Sequence, residues 1–391
     1  MIMKLKLLLF ACFFGFISAH SQESFLCQGY YTTEEGGRAN LEKFSRTYHD
    51  QASWMKRAGQ IRATILKGAK LDELPARCNL NPIRKIKQVF DGYTVENVAF
   101  ESLPGFYVTG NLYLPASFTG KIPGIACPHG HWNNPADYGR YRIDMQYRCA
   151  ALALMGAAVF AYDMVGYGES LPCLHGTPEV LRLQTWNSMR VIDFLLSLGF
   201  VDDTRLGVTG ASGGGTQSFL LAAVDDRIDV SVPAVQVSAH FYGGCNCESG
   251  MPIHRTPGFE TNNVEIAASF APKPQLIISD GDDWTRNVPD IEYPYIKKVY
   301  SLFGKSENVE NAHFENEIHD YGYNKRVAMY RFMAKHLGLK LENLTDENGK
   351  INDSNAQLQI LPLLKVFPDG VRPENEVKSC DEVIRLLNTY R

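Results

Sequence analysis

The sequence lacks a basic segment and any long run of like charges. Its 39 Lys and Arg residues face 43 Asp and Glu residues, for a formal net charge of -4. This balance gives no basic stripe for nucleic acid and no sign of an anionic membrane partner. Internal repeats and low-complexity tracts are also absent. The composition, 45% hydrophobic and 21% charged, is that of an ordinary globular protein.

The sequence also lacks an apolar run at its N-terminus that is long enough to span a bilayer. Leu7 to Ala19 is a short apolar stretch preceded by two lysines within residues 4–6. Small residues at positions 19 and 21 mark a cleavage site before Gln22, so residues 1–21 are predicted to be a signal peptide. Cys12 lies in a lipobox-like context, but the apolar core continues beyond it. We therefore expect a secreted or periplasmic soluble protein.

Cysteine is sparse, and its spacing does not match a structural metal site. Cys245-Asn246-Cys247 is a C-x-C pair, and Cys173 lies in another loop. Export permits a disulfide among these three thiols, but the sequence leaves its connectivity open. The second C-x₂-C half of a zinc site is missing, which disfavours a metal bound by this pair with His240 and His254. We expect no metal and no organic cofactor.

Patterns of strands and helices alternate between residues 90 and 339. Gly156 to Tyr162, for example, is a continuous apolar run typical of a strand buried on both faces of a parallel sheet. Such alternation predicts a doubly wound, mostly parallel sheet that binds ligands at the carboxyl ends of its strands. Residues 22–89 are predicted to be a helical extension with one docked apolar face, and residues 340–391 a C-terminal extension. The docked face comprises Trp54, Ala58, Ile61 and Ile65.

The stretch Gly210-Ala211-Ser212-Gly213-Gly214 has the G-x-S-x-G pattern between a strand and a helix. Residues 205–209 form the strand pattern, and residues 216–224 form the helix pattern. In this context the serine sits on a sharp turn where side chains two residues to either side would collide with the strand and the helix. We predict that Ser212 is a nucleophile. The alternative is a tight turn that merely requires glycine.

A serine nucleophile needs a base, and the base needs a group that orients it. On a sheet of this type the order along the chain is serine, acid, histidine. Three aspartates, Asp280, Asp282 and Asp283, follow the next-to-last strand, and we favour Asp283. His319, after the last strand, is the predicted base, whereas His313 falls within that strand.

Two backbone N–H groups are expected to bind the oxyanion. One is that of Gly213, directly after the nucleophile, and the other is that of His131, in the His129-Gly130-His131 loop after the strand that ends at Pro128. The alternative is that His129 and His131 only pack and form local hydrogen bonds.

Several motifs resemble the acetylxylan esterase and cephalosporin-C deacetylase branch of the α/β-hydrolases. They are the elbow with its lead-in (residues 202–214), the H-G-H loop, the segment from Ala161 to Ser170, and residues 283–285 and 319–322. The resemblance extends over residues 90–339 and implies an α/β-hydrolase fold with helical N-terminal and short C-terminal extensions. It also implies a Ser212, Asp283 and His319 triad with an oxyanion hole at His131 and Gly213. The sequence departs from the branch at Gly213, where glutamine is usual, and at His131, where tyrosine is usual.

The expected function is that of a secreted serine esterase hydrolysing small acyl, most simply acetyl, esters on a small-molecule or polysaccharide substrate. Four aromatic residues on loops at the site end of the sheet are candidates for stacking on sugar rings, or else for loop packing. They are Trp132, Tyr167, Tyr242 and Trp284.

Two other functions remain open on the sequence. One is a prolyl-oligopeptidase-type peptidase, although about 70 residues before the main domain cannot supply that family's propeller. The other is a non-catalytic carbohydrate-binding protein, which the complete Ser, Asp and His set disfavours. The oligomeric state is not predicted.

Overall fold

The architecture is seen in a computed structural model that describes residues 31–134, 137–354 and 356–390. The predicted signal peptide, Cys12 and the cleavage site before Gln22 lie outside these residues. None of the helices in the described ranges has the length and apolar character needed to cross a membrane.

Nine strands form one sheet in the order β1-β2-β3-β5-β4-β6-β7-β8-β9. The first three and the β3–β5 pair run antiparallel, and every further neighbour from β5 to β9 is parallel. The predicted mostly parallel sheet is confirmed. Its strands are β1 (Ile83–Val89), β2 (Tyr93–Leu103), β3 (Phe106–Pro115), β4 (Ile122–Pro128), β5 (Ala158–Tyr162), β6 (Val201–Ala211), β7 (Val230–Ala234), β8 (Gln275–Asp280) and β9 (Val309–Phe314).

Helices cover both faces of the sheet, so that alternate residues of the strands enter two different cores. In β5, Phe160 and Tyr162 pack into one core, and Val159 and Ala161 into the other. The helices are α1 (Glu34–Ser45), α2 (Gln51–Gly68), α3 (Ile143–Leu154), α4 (Val180–Ser197), α5 (Gly213–Val224), α6 (Asn246–Ser249), α7 (Asn263–Ala268), α8 (Tyr293–Ser301), α9 (Tyr323–Leu337), α10 (Leu361–Leu364) and α11 (Cys380–Thr389).

The N-terminal helices dock on the main domain. Trp54, Ile61 and Ile65 are buried, which confirms the predicted apolar face of α2. The sheet, however, begins at β1, within residues 22–89 where we expected helix throughout. Its sequence, IRKIKQV, is too polar to indicate a buried strand, because β1 is an edge strand that exposes most of its basic side chains.

The C-terminal segment is tied to the sheet by buried polar contacts. The Arg140 guanidinium donates to the carbonyl oxygen of Leu364, and the Glu169 carboxylate accepts hydrogen bonds from the backbone N–H groups of Val366 and Phe367. A disulfide joins Cys173 to Cys380, 207 residues later. The pairing of Cys173 with Cys245 or Cys247 that the sequence left open is therefore not formed.

A buried ion pair fastens α2 to α7. Arg57 Nε lies 2.6 Å from a carboxylate oxygen of Glu265, and the two side chains are 8% and 0% exposed. Arg57→Ala leaves that carboxylate buried without its partner, so we expect the free energy of unfolding to fall by about 3–5 kcal/mol. Denaturant titration measures the change.

Arg62→Ala is the matched control, because its partner Asp226 is 86% exposed. This variant should lose about 1 kcal/mol or less. Equal losses in the two variants would contradict a special role for the buried pair.

Candidate active site

The backbone forces Ser212 into a strained turn between β6 and α5. Its φ is 57° and its ψ is -124°, a combination that few non-glycine residues adopt. A Cβ atom at Gly210 would lie 2.5 Å from the carbonyl oxygen of Pro128, and one at Gly214 would lie 2.5 Å from the same atom. Neither position has room for a side chain, as predicted, but the nearest clashing atom belongs to the end of β4 and not to the elbow's own strand or helix. The helix N-terminus that follows points its free N–H groups towards the site.

Asp283 and His319 are joined by a hydrogen bond. His319 Nδ1 lies 2.5 Å from Asp283 Oδ2, and the other carboxylate oxygen of Asp283 accepts from the backbone N–H and the hydroxyl of Thr285. Both residues follow the carboxyl ends of adjacent parallel strands, β8 and β9, and Ser212 directly follows β6. The three predicted residues therefore lie at the same edge of the sheet.

The other two aspartates of this loop have different surroundings. Asp280 is fully buried, and its Oδ2 lies 2.9 Å from Lys325 Nζ. Burial alone would lower the pKa of Lys325, but its hydrogen bonds with Asp280 and Asp320 outweigh this effect and raise the pKa. Asp282 is exposed. Of the three, Asp283, which the sequence analysis favoured, is thus the one bonded to a histidine.

The H-G-H loop contains two histidines with different environments. His129 is buried, its Nδ1 lies 2.8 Å from the carbonyl oxygen of Gly130, and its Nε2 accepts from the backbone N–H of Met164. Burial lowers the pKa of His129 to about 3, so the ring is neutral and holds two backbone segments. The His131 ring lies against Gly213, where a Cβ atom would be 2.4 Å from Cε1. The loop therefore passes directly beside the turn of Ser212.

The four aromatic candidates divide into two groups. Trp132 and Trp284 are partly exposed, and their ring centroids lie 5.9 and 4.7 Å from that of His319. Tyr242, expected as a candidate for stacking on a sugar, does not suit that role. It is buried, and Tyr31 and His254 stack on its ring, which leaves no free face for a sugar. Tyr167 is also almost fully buried, because it packs against His129 and His175.

The C-x-C pair lies next to the H-G-H loop. Cys245 Sγ and Cys247 Sγ are 3.2 and 3.0 Å from His131 Nε2, and His175 completes the group. The histidines that we considered with this pair are elsewhere, since His240 contacts Ser238 and His254 contacts Asn263. His131 and His175 were missed as neighbours of the pair because they are 70 or more residues away in sequence.

Solved structures share this architecture. The chain is 38% identical to the methylesterase BT1017 over 90% of its own length and 78% of that protein, with a TM-score of 0.83. A glucuronoyl esterase from Solibacter usitatus aligns with 73% of this chain and 94% of its own chain, at 17% identity and a TM-score of 0.51. A glucuronoyl esterase from Teredinibacter turnerae aligns with 73% of this chain and 86% of its own chain, at 13% identity and a TM-score of 0.53. The last two show the fold alone.

No protein-family model and no curated protein matches the chain. The identity of 38% to the methylesterase BT1017, over 90% of this chain, is nevertheless high enough to show the family. The chain belongs to the carbohydrate esterases of the α/β-hydrolase type. It is a carboxylic ester hydrolase, and the α/β-hydrolase fold expected from its motifs is confirmed.

Stability should depend on pH through His254, which follows the C-x-C pair in the segment between β7 and α7. Burial lowers the pKa of His254 to about 4, and its Nε2 lies 2.7 Å from Asn263 Oδ1. Between about pH 6.5 and 4 the unfolded chain binds a proton here that the folded chain does not. Stability should therefore fall as pH falls through this window, by up to about 1.4 kcal/mol per pH unit from this group.

His254→Gln should flatten that slope, as measured by denaturant titration between pH 4 and 7. His49→Gln is the control, because its side chain is 84% exposed. If both variants keep the wild-type slope, His254 does not control this dependence.

Proposed function

We propose that the protein is a serine esterase in which Ser212 is the nucleophile, His319 the general base and Asp283 the residue that orients it. The observation that carries the proposal is the Asp283–His319 hydrogen bond at the sheet edge where β6 delivers the strained Ser212. A carboxylate bound to Nδ1 fixes the imidazole tautomer and leaves Nε2 to accept the serine proton. A merely structural turn would not account for the adjoining acid–histidine pair.

In this mechanism the Ser212 oxygen attacks the ester carbonyl carbon while His319 takes its proton. The tetrahedral oxyanion is bound by the backbone N–H groups of Gly213 and His131, supported by the N-terminus of α5. His319 then protonates the departing alcohol, which leaves an acyl-enzyme. Water deprotonated by His319 attacks the acyl-enzyme, and collapse of the second tetrahedral intermediate releases the acid and free Ser212.

Asp283→Asn should lower kcat by about 10³–10⁴-fold, because the amide favours the wrong imidazole tautomer. Asp282→Asn changes the neighbouring, exposed carboxylate in the same way and should keep kcat within about two-fold. Hydrolysis of p-nitrophenyl acetate measures both variants. Equal activity in the two would remove Asp283 from the proposal.

Ser212→Ala should abolish covalent labelling by a fluorophosphonate probe. Because the probe reacts only with an activated serine, labelling separates a catalytic serine from a turn residue. Wild-type protein that takes up no probe would favour a carbohydrate-binding protein without this chemistry.

The ester bond itself is proposed from the similarity to a methylesterase at 38% identity. A methyl ester on carbohydrate has its acyl carbon in an acidic sugar and releases methanol, so the sugar is held on the acyl-enzyme. The acetyl ester expected from the motifs is the second candidate, favoured by the resemblance of the elbow to the deacetylases. Trp132 and Trp284, partly exposed beside His319, could stack on a sugar in either case.

Methanol release and acetate release distinguish the two esters. We expect the protein to release methanol from methyl-esterified acidic polysaccharides at a higher kcat/KM than acetate from acetylated xylan, with no release by Ser212→Ala. The reverse preference would support the acetyl ester. A proline nitroanilide assayed in parallel should give no product, since a peptidase would cleave it.

Export of the protein is part of the same proposal. It depends on the charged, apolar and small-residue pattern of residues 1–21, and N-terminal sequencing of the exported protein should begin at Gln22.

A further inference from the structure

Four metal-ligating atoms meet beside the candidate active site. They come from the side chains of His131, His175, Cys245 and Cys247 and all lie within 4.8 Å of one another. The two imidazole Nε2 atoms are 3.0 Å apart, and the two sulfurs are 3.2 Å apart without a covalent bond. The residues belong to three separate loops: one after β4, one after β5, and the one that carries α6.

Hydrogen bonding fixes which atom of His175 faces the group. Its Nδ1 lies 2.7 Å from the carbonyl oxygen of Val165, and only an N–H can bond to a carbonyl. The neutral ring therefore directs the bare Nε2 lone pair at the other three atoms. A histidine ligand to a metal is typically oriented in this way, with its second nitrogen donating to a backbone carbonyl.

The four converging atoms form a set that one metal ion can bind once both thiols release their protons. Two imidazole nitrogens and two sulfurs face a common point, and the residues are partly buried, with Cys247 completely buried. A divalent cation would satisfy all four lone pairs, and two thiolates would cancel its charge. Ligand separations in a tetrahedral zinc site follow from its bond lengths and are about 3.3–3.8 Å. Five of the six separations are 3.0–3.2 Å, and the sixth, between His175 Nε2 and Cys247 Sγ, is within 4.8 Å. A tetrahedral site therefore needs a small rearrangement of the side chains, in which the five short separations expand.

We propose that His131, His175, Cys245 and Cys247 form a closed tetrahedral site for Zn²⁺. Two sulfur and two nitrogen ligands are the set that selects zinc. Four protein ligands leave no open position for water or substrate, so the ion has a structural role. The site needs no C-x₂-C spacing, because the fold supplies its two histidines from loops at the same edge of the sheet.

The site would hold the loop that borders the nucleophile. His131 is both a ligand and the residue whose ring lies against Gly213. The ion would thus link this loop to the segments around Cys245 and His175, the latter close to the Cys173–Cys380 disulfide. Loss of the ion should then lower esterase kcat, a consequence that rests on the proposed function, whereas metal binding itself does not.

Metal content of the full chain tests the site directly. Protein produced with Zn²⁺ and then dialysed should retain one equivalent of zinc, measured by inductively coupled plasma mass spectrometry. The variants Cys245→Ser and Cys247→Ser should lose this zinc. Cys78→Ser is the matched control, because Cys78 is also a partly buried free thiol but lies outside the group. Ser212→Ala should keep the metal, which separates failure of this site from failure of the esterase proposal.

Wild-type protein gives a second test that requires no variant to fold. Removing the metal with a chelator should lower Tm by several degrees, expose two additional thiols to a thiol reagent, and be reversed by Zn²⁺. Reconstitution with Co²⁺ should give the intense visible absorption of tetrahedral thiolate coordination. A metal-free protein after loading, or a Cys245–Cys247 disulfide in its place, would overturn the proposal.

Discussion

The close approach of three backbone segments at Ser212 is the constraint on which the site depends. The carbonyl end of β4 at Pro128 comes so near to β6 and α5 that Gly210 and Gly214 have no room for a Cβ atom. Ser212 lies in this sharp turn with a positive φ, at the edge of the sheet. The close approach also brings the loop after β4 beside the same turn, where His131 contacts Gly213. The same packing thus positions both the proposed nucleophile and the loop proposed to stabilise its oxyanion.

Two buried acids three residues apart, one at the end of β8 and one in the loop after it, have different partners. Asp280 is paired with Lys325, which supplies a full positive charge and holds it in the sheet. Asp283, three residues later, contacts Thr285 and His319. An aspartate already satisfied by an ammonium would orient an imidazole poorly, because the cation would compete for the same oxygens. The pairing of Lys325 with Asp280 therefore leaves Asp283 to His319.

Much of the fold followed from local patterns. The apolar run of β5 and the buried face of α2 lie where periodicity predicted them, because each buries enough apolar surface to show in sequence. The edge strand β1 was missed, since half-exposed basic strands resemble polar helices or loops. Tyr242 was misjudged for a similar reason, as a loop tyrosine can be stacked on both faces once its loop packs.

The sequence by itself determined the local chemistry: an elbow that only glycines permit, an acid loop after β8 and a histidine after β9. These follow from sterics and chain order within a few residues. Only the tertiary structure decided which aspartate meets His319, that Cys173 pairs with Cys380, and that His131 and His175 join Cys245 and Cys247. The disulfide and the His/Cys group each bring together residues from segments distant along the chain. Their proximity is set by how strands and loops pack and not by any spacing that can be read along the chain.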